Sequence, residues 1–235
     1  MMVKINLKRE DFQTFQFLNI TSKLAFFLMR NQEYLRSFIP LLRNSYKYDV
    51  HEFHQKICGI QNMIERKRVP SESDGEYIFL LSKLSDTCRI KSDVNDLRGM
   101  MAEQIFQECF KQRKLGRDWT WLTGCSVWID GVLILYSSGI ESKKTVDLGA
   151  WCFNLQSGEF YEVKLSPYAF HEVDFHYLEH LHQSLENAGI SKYKIAIFSL
   201  DDSLLLRKRI EELGFQLLDR MQLLSLRELQ KRGFL

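Results

Sequence analysis

The chain lacks any paired-cysteine motif. Its five cysteines, Cys58, Cys88, Cys109, Cys125 and Cys152, are odd in number and widely spaced, and no C-x-x-C occurs. That spacing gives no support to a disulfide framework or a structural zinc site. The thiols read instead as small apolar side chains in a reducing compartment. An excess of one charge is missing too: 32 Lys and Arg stand against 30 Asp and Glu, a net +2. Such a balance neither demands nor excludes a nucleic-acid partner, because a local basic patch can act within a neutral total. Long hydrophobic runs are absent. "FLNITSKLAFFLM" is interrupted by Lys23 and falls short of the ~18–20 residues of a membrane span. "MMVKINLKREDF" carries charges where the apolar core of a signal peptide would begin. A cytoplasmic, soluble protein with no membrane association is therefore expected. Walker-type loops, the Rossmann glycine pattern and a nucleophile elbow are also lacking, which removes the commonest nucleotide and acyl-transfer readings.

What is present is an ordinary globular composition, 45% hydrophobic and 26% charged over 235 residues. That is enough for one large domain, or a catalytic domain with a smaller attachment. Residues 1–75 carry mostly helical signals and are read as an N-terminal helical region for recognition, dimerisation or partner binding. Phe17, Leu24, Phe27, Leu28, Leu35, Phe38 and Ile39 are spaced for one helical face, with Pro40 as a break, and Phe53, Ile57, Ile60 and Ile64 repeat the spacing. "KRVPSESDGE", with Pro70 and Gly75, reads as the linker. Residues 76–235 are read as the second domain. "YIFLLSKLSD" is taken as a helix. "SDVNDLRGMMAEQIFQECFKQRKLG" is a clearer one, with Asp93 or Asn95 as its cap. "GCSVWIDGVLILYS" reads as two strands around Asp130-Gly131, or as one long strand with a bulge. "KKTVDLGAWCFNL" and "GEFYEVKLS", joined by "QSG", suggest an antiparallel hairpin; helix, buried strand and capped helix follow. The fold class expected is α/β: a mixed β-sheet flanked by helices, with an N-terminal helical region.

"GEFYEVKLS" poses a question. Tyr161, Val163 and Leu165 supply one apolar face, which leaves Glu162 and Lys164 together on the other. That face is either simply wet, as on many edge strands, or it holds an acid and a base for chemistry. Asp147, flanked by Val146 and Leu148, is an odd place for an acid without a partner. Pairing through the "QSG" turn would set Asp147 beside Glu162 and Lys164. Two carboxylates held close repel one another, and a hard divalent cation relieves that repulsion.

In "VDLGAWCFNLQSGEFYEVKLS" the chain resembles the PD-(D/E)XK nuclease superfamily, the restriction-endonuclease-like fold. The pattern is an Asp in one strand, a short turn and Glu-x-Lys in the next, wrapped in αβββαβ order. Asp147 and Glu162-Val163-Lys164 stand at the matching places, and Glu103 matches an acid often found on the preceding helix. Val146 replaces the nominal proline. The resemblance covers residues 95–200 and implies a nuclease hydrolysing phosphodiester bonds, in DNA rather than RNA, with Mg²⁺ or Mn²⁺ as cofactor. It also implies Asp147, Glu162 and the Val163 carbonyl as metal ligands, Lys164 as the residue that positions water, and Glu103 as the remaining acid. Lys143, Lys144, Lys111, Arg113 and His176 are read as contacts to nucleic acid. A homodimer or a protein partner through the N-terminal helices fits the same reading. The alternative is a non-catalytic nucleic-acid-binding or assembly protein that retains the fold. Asp130 is more cheaply a turn residue than a metal ligand. His176 and His180 have the spacing of the zinc-protease motif but not its glutamate, because Tyr177 follows the first histidine.

Overall fold

The computed structural model describes residues 3–10, 15–67, 69–112 and 118–231. The chain divides into two compact units, one of residues 13–112 and one formed by residues 1–12 with 113–234. The first is helical: α1 (Phe15–Arg30), α2 (Leu35–Asn44), α3 (Val50–Glu65), α4 (Glu72–Thr87) and α5 (Lys91–Gln112). Its core follows the apolar spacing of the sequence, with Leu24, Phe27, Leu28, Phe38, Phe53 and Ile57 almost fully buried. Phe27, Tyr34 and Tyr77 form an aromatic cluster with ring centroids 4.6–5.6 Å apart.

Two expectations for this region are corrected. Pro40 does not break the helix but lies inside α2. The break comes earlier, in a short 3-10 turn at Gln32–Tyr34; proline costs the helix one hydrogen bond and a clash with the preceding turn, which the burial of five α2 side chains offsets. "SESDG" is not linker either. Ser71 caps α4 through a reciprocal capping box with Asp74, so that Gly75 and the expected boundary at 75 fall inside a helix.

The second unit is α/β: a mixed seven-stranded sheet flanked by helices. Its strands are β1 (Ile5–Arg9), β2 (Trp119–Ile129), β3 (Val132–Leu133), β4 (Tyr136–Ser137), β5 (Ser142–Lys143), β6 (Thr145–Cys152), β7 (Ser157–Lys164), β8 (Lys192–Ser199) and β9 (Met221–Ser225). Its helices are α6 (Glu172–Asn187), α7 (Ser203–Glu212) and α8 (Leu226–Lys231). The main sheet runs β1-β2-β6-β7-β8-β9, with β3 paired to β2, while β4 and β5 form a separate small hairpin. β1 to β7 pair antiparallel, and β7, β8 and β9 are parallel. The parallel pairs are connected through α6 and α7, as parallel neighbours require. One sheet face packs on α6 and α7, with Phe160, Ile195 and Ile197 meeting Phe175, Leu178, Leu181 and Ile210.

Sequence patterning had given residues 1–10 no strand, yet β1 pairs along its whole length with β2. Asp130 and Gly131 both have positive φ, 48° and 85°, as a tight hairpin turn between β2 and β3 requires. Asp130 Oδ1 also accepts the Lys4 N–H at 2.8 Å, as a turn residue tied to β1. Gly124 is a second positive-φ position, at 52°. Leu122 on one side of it and Cys125, Val127 and Ile129 on the other all reach the same core, so β2 reverses face there. Val146 and Trp151 show the same reversal on β6. Asp147 lies at that crossing, between the pairs Thr123↔Leu148 and Cys125↔Val146. Among the described residues no helix is long and apolar enough to cross a membrane.

Gly149 leaves no room for a side chain, since a Cβ there would meet Cys125 Sγ at 2.9 Å and Leu7 Cδ2 at 3.1 Å. Gly149→Ala should cost about 1–3 kcal/mol in urea unfolding. In the helical unit, buried Asp74 is paired with Lys67 and accepts hydrogen bonds from the Ser71 N–H and the Tyr34 hydroxyl. The Lys67 ammonium, more than the other donors, holds the Asp74 carboxyl well below the usual carboxylate range. Because the folded value lies below the unfolded one, this stabilisation is present above about pH 4 and is lost as pH falls below it. Asp74→Asn should flatten the acid limb of the stability–pH curve and cost about 1–3 kcal/mol at neutral pH, as read by thermal unfolding across pH.

Candidate active site

The β6–β7 hairpin forms as the sequence suggests, with Leu148↔Tyr161 through Cys152↔Ser157 in register. Continued one step, that register sets Asp147 opposite Glu162, on the face that carries Phe160 and Lys164. The face is not wet. Glu162 is completely buried, while the Asp147 and Lys164 side chains keep 19% and 23% of their exposure. The site is thus closed at its floor and open at its rim.

A buried carboxylate must be charge-compensated or take up a proton. Here one ammonium serves two acids: Lys164 Nζ donates to Glu162 Oε1 and lies 3.4 Å from Asp147 Oδ2. The backbone N–H of Val163 donates to Asp147 Oδ2 at 2.6 Å. Lys143, at the end of β5, donates to the same Glu162 Oε1 at 2.9 Å and to Asp174 Oδ1 at 2.9 Å. Asp174 sits in the first turn of α6, where its Oδ2 accepts the His171 N–H at 2.9 Å. Three carboxylates and two ammoniums therefore occupy one end of the sheet, at the C-terminal end of β7. Glu162 Oε2 is buried with no hydrogen-bond partner.

The electrostatic consequences follow from burial and neighbours. Desolvation, reinforced by Asp147, pushes the Glu162 carboxyl up to about 7. Burial, the largest single effect, opposes charge on Lys143 and Lys164, but Glu162, Asp147 and Asp174 together outweigh it, so both amines are held above their ordinary value. Asp174 is lowered in spite of its burial, by Lys164 and Lys143.

The structure thus brings together Asp147, Glu162, Val163 and Lys164 of the expected set. Lys143 is there as well, in the acid cluster itself and not on a free surface. Asp174 is a further member that sequence patterning, with His176 and His180 on the same helix, did not single out; its place three residues after the helix cap His171 is the available signal. Lys144 is paired with Glu10 at 2.8 Å. His176 stacks on Tyr136 at 5.1 Å and meets the edge of Phe215 at 4.7 Å, so its ring is already occupied by its own unit. Glu103 and Lys111 lie on α5 in the helical unit, Glu103 half-buried and Lys111 paired with Glu108. Arg113 lies outside the described residues.

A divalent cation fits this donor set. Glu162 offers a buried oxygen without a partner, and Asp147 stands beside it with a rim open to water. Among the described residues no three His, Cys, Asp or Glu side chains form a metal cage by themselves. Magnesium does not need one, since it is commonly held by one or two carboxylates with waters and substrate phosphates. No known relative informs the choice. No family model, no curated protein and no solved structure matches the chain. The site must be judged on its own chemistry.

The Tyr136–His176 stack fastens the β4–β5 hairpin to α6, and so fixes the strand that ends in Lys143. His176→Ala should lower stability by about 1 kcal/mol and speed amide hydrogen exchange in residues 136–143, measured by mass spectrometry, more than in β7 or β8.

Proposed function

We propose that the protein is a divalent-metal-dependent nuclease that hydrolyses phosphodiester bonds, in DNA rather than RNA. The observation that carries this reading is the shared Lys164 ammonium, which joins Asp147 to a fully buried Glu162 whose second oxygen has no partner. Mg²⁺ or Mn²⁺ held by Asp147, Glu162 and the Val163 carbonyl would supply a Lewis acid and lower the pKa of a bound water. The chain's own residues account for the rest. Lys164 lies at the rim, where its ammonium can donate to an incoming water and oppose the charge of a phosphate. The Val163 N–H holds one oxygen of Asp147 and so orients that carboxylate. Burial of Glu162 keeps bulk water from the floor of the site, which strengthens every charge interaction there. Glu103 enters as the third acid that the resemblance implies and is tested by the same assay.

The decisive measurement is incubation with Mg²⁺ or Mn²⁺ and a panel of linear, supercoiled, branched and single-stranded DNA, with RNA alongside. Cleavage of at least one DNA is expected. Asp147→Asn and Lys164→Ala should each lower its rate by roughly a hundredfold or more with the circular dichroism spectrum unchanged. Activity that survives both substitutions refutes the residue assignment. Tight DNA binding without cleavage in either metal would favour the non-catalytic alternative.

A further inference from the structure

Lys143 is mounted with more care than a surface contact to DNA would need. Its strand β5 is paired with β4 at Tyr136, and Tyr136 is stacked on His176 of α6. The same helix presents Asp174, itself fixed by the His171 N–H, to one side of the Lys143 ammonium. The other side meets Glu162 Oε1, the oxygen that Lys164 also holds, at 2.9 Å. Two cations thus converge on one oxygen of Glu162, while the other oxygen is buried and unpartnered.

We propose that Lys143 is the resident counter-cation of this site, held in place by Asp174, and that it competes with the divalent cation for Glu162. The inference rests on the metal-dependent reading above and adds Lys143 and Asp174 as positioning residues. With the metal absent, Lys143 keeps a buried carboxylate compensated and the strand ends assembled. With the metal bound, Glu162 is shared, and Asp174 retains the ammonium at the rim, within reach of a phosphate. Lys143 and Asp174 belong to one salt bridge, yet their removal should act on metal affinity in opposite directions. Lys143→Met removes the competitor and one positive charge. Asp174→Asn removes one negative charge and leaves Lys143 to Glu162 alone.

The test is Mn²⁺ titration of metal-free protein, read by electron paramagnetic resonance and calorimetry, with DNA cleavage measured in parallel. Lys143→Met should bind Mn²⁺ about tenfold more tightly while cleaving more slowly, and its metal-free form should melt at lower temperature. Asp174→Asn should bind about tenfold more weakly. Lys143→Arg should return affinity to near the wild-type value, because it restores the charge. Lys143→Gln makes the same charge change with a hydrogen-bond donor retained, should the methionine variant not fold. If Lys143→Met (or Gln) and Asp174→Asn shift affinity the same way, or neither shifts it, the counter-cation role is overturned while the metal site stands. If the wild-type protein binds no Mn²⁺, the metal-dependent reading fails first and takes this inference with it.

Discussion

Glu162 is a carboxylate with no solvent exposure at the end of a central strand, and the organisation of its surroundings follows from that placement. An isolated buried charge of this kind would cost several kcal/mol, so the fold must bring compensation to it. It does so from two directions, Lys164 from the same strand and Lys143 from the small hairpin, with Asp174 on α6 anchoring Lys143. The compensation is incomplete, since one oxygen of Glu162 stays without a partner. A protein that wanted only stability would have placed an apolar residue there. Incomplete neutralisation of a buried acid beside an open rim is the feature on which the proposed function draws.

The sheet makes this arrangement possible by changing character at β7. On one side of that strand its neighbour is antiparallel, which lets a tight turn bring Asp147 opposite Glu162. On the other side its neighbour is parallel, which forces a helical crossover. The start of that crossover helix necessarily lies at the end of β7 that carries Lys164, and there Asp174 reaches the cluster. The reversal of face at Gly124 belongs to the same design. It lets β2 and β6 keep feeding the core on both sides of the position of Asp147.

The parts of the fold that could be read from the sequence are those whose partners are near in the chain. The hairpin of β6 and β7 announces itself by alternation on both sides of a short turn, and α3, α6 and α7 by apolar spacing and caps. β1 escaped because its only reason to be a strand is β2, more than a hundred residues later. Pro40 misled because its cost inside a helix, about 3 kcal/mol, is borne by the burial of Phe38, Ile39, Leu41 and Leu42.

The site divides in the same way. Asp147, Glu162 and Lys164 could be picked out together because strand periodicity and a short turn put them on one face, which is local arithmetic. The sequence by itself therefore determined the α/β class and the acid–acid–lysine core of the candidate site. Whether Glu162 was wet or buried could not be decided locally, because exposure depends on what α6 covers. That Lys143 joins the acids instead of facing solvent, and that Asp174 belongs with them, was decided by the tertiary structure alone. Long-range packing chooses which charges meet, since each buried ion recruits partners by proximity in space and not by spacing along the chain.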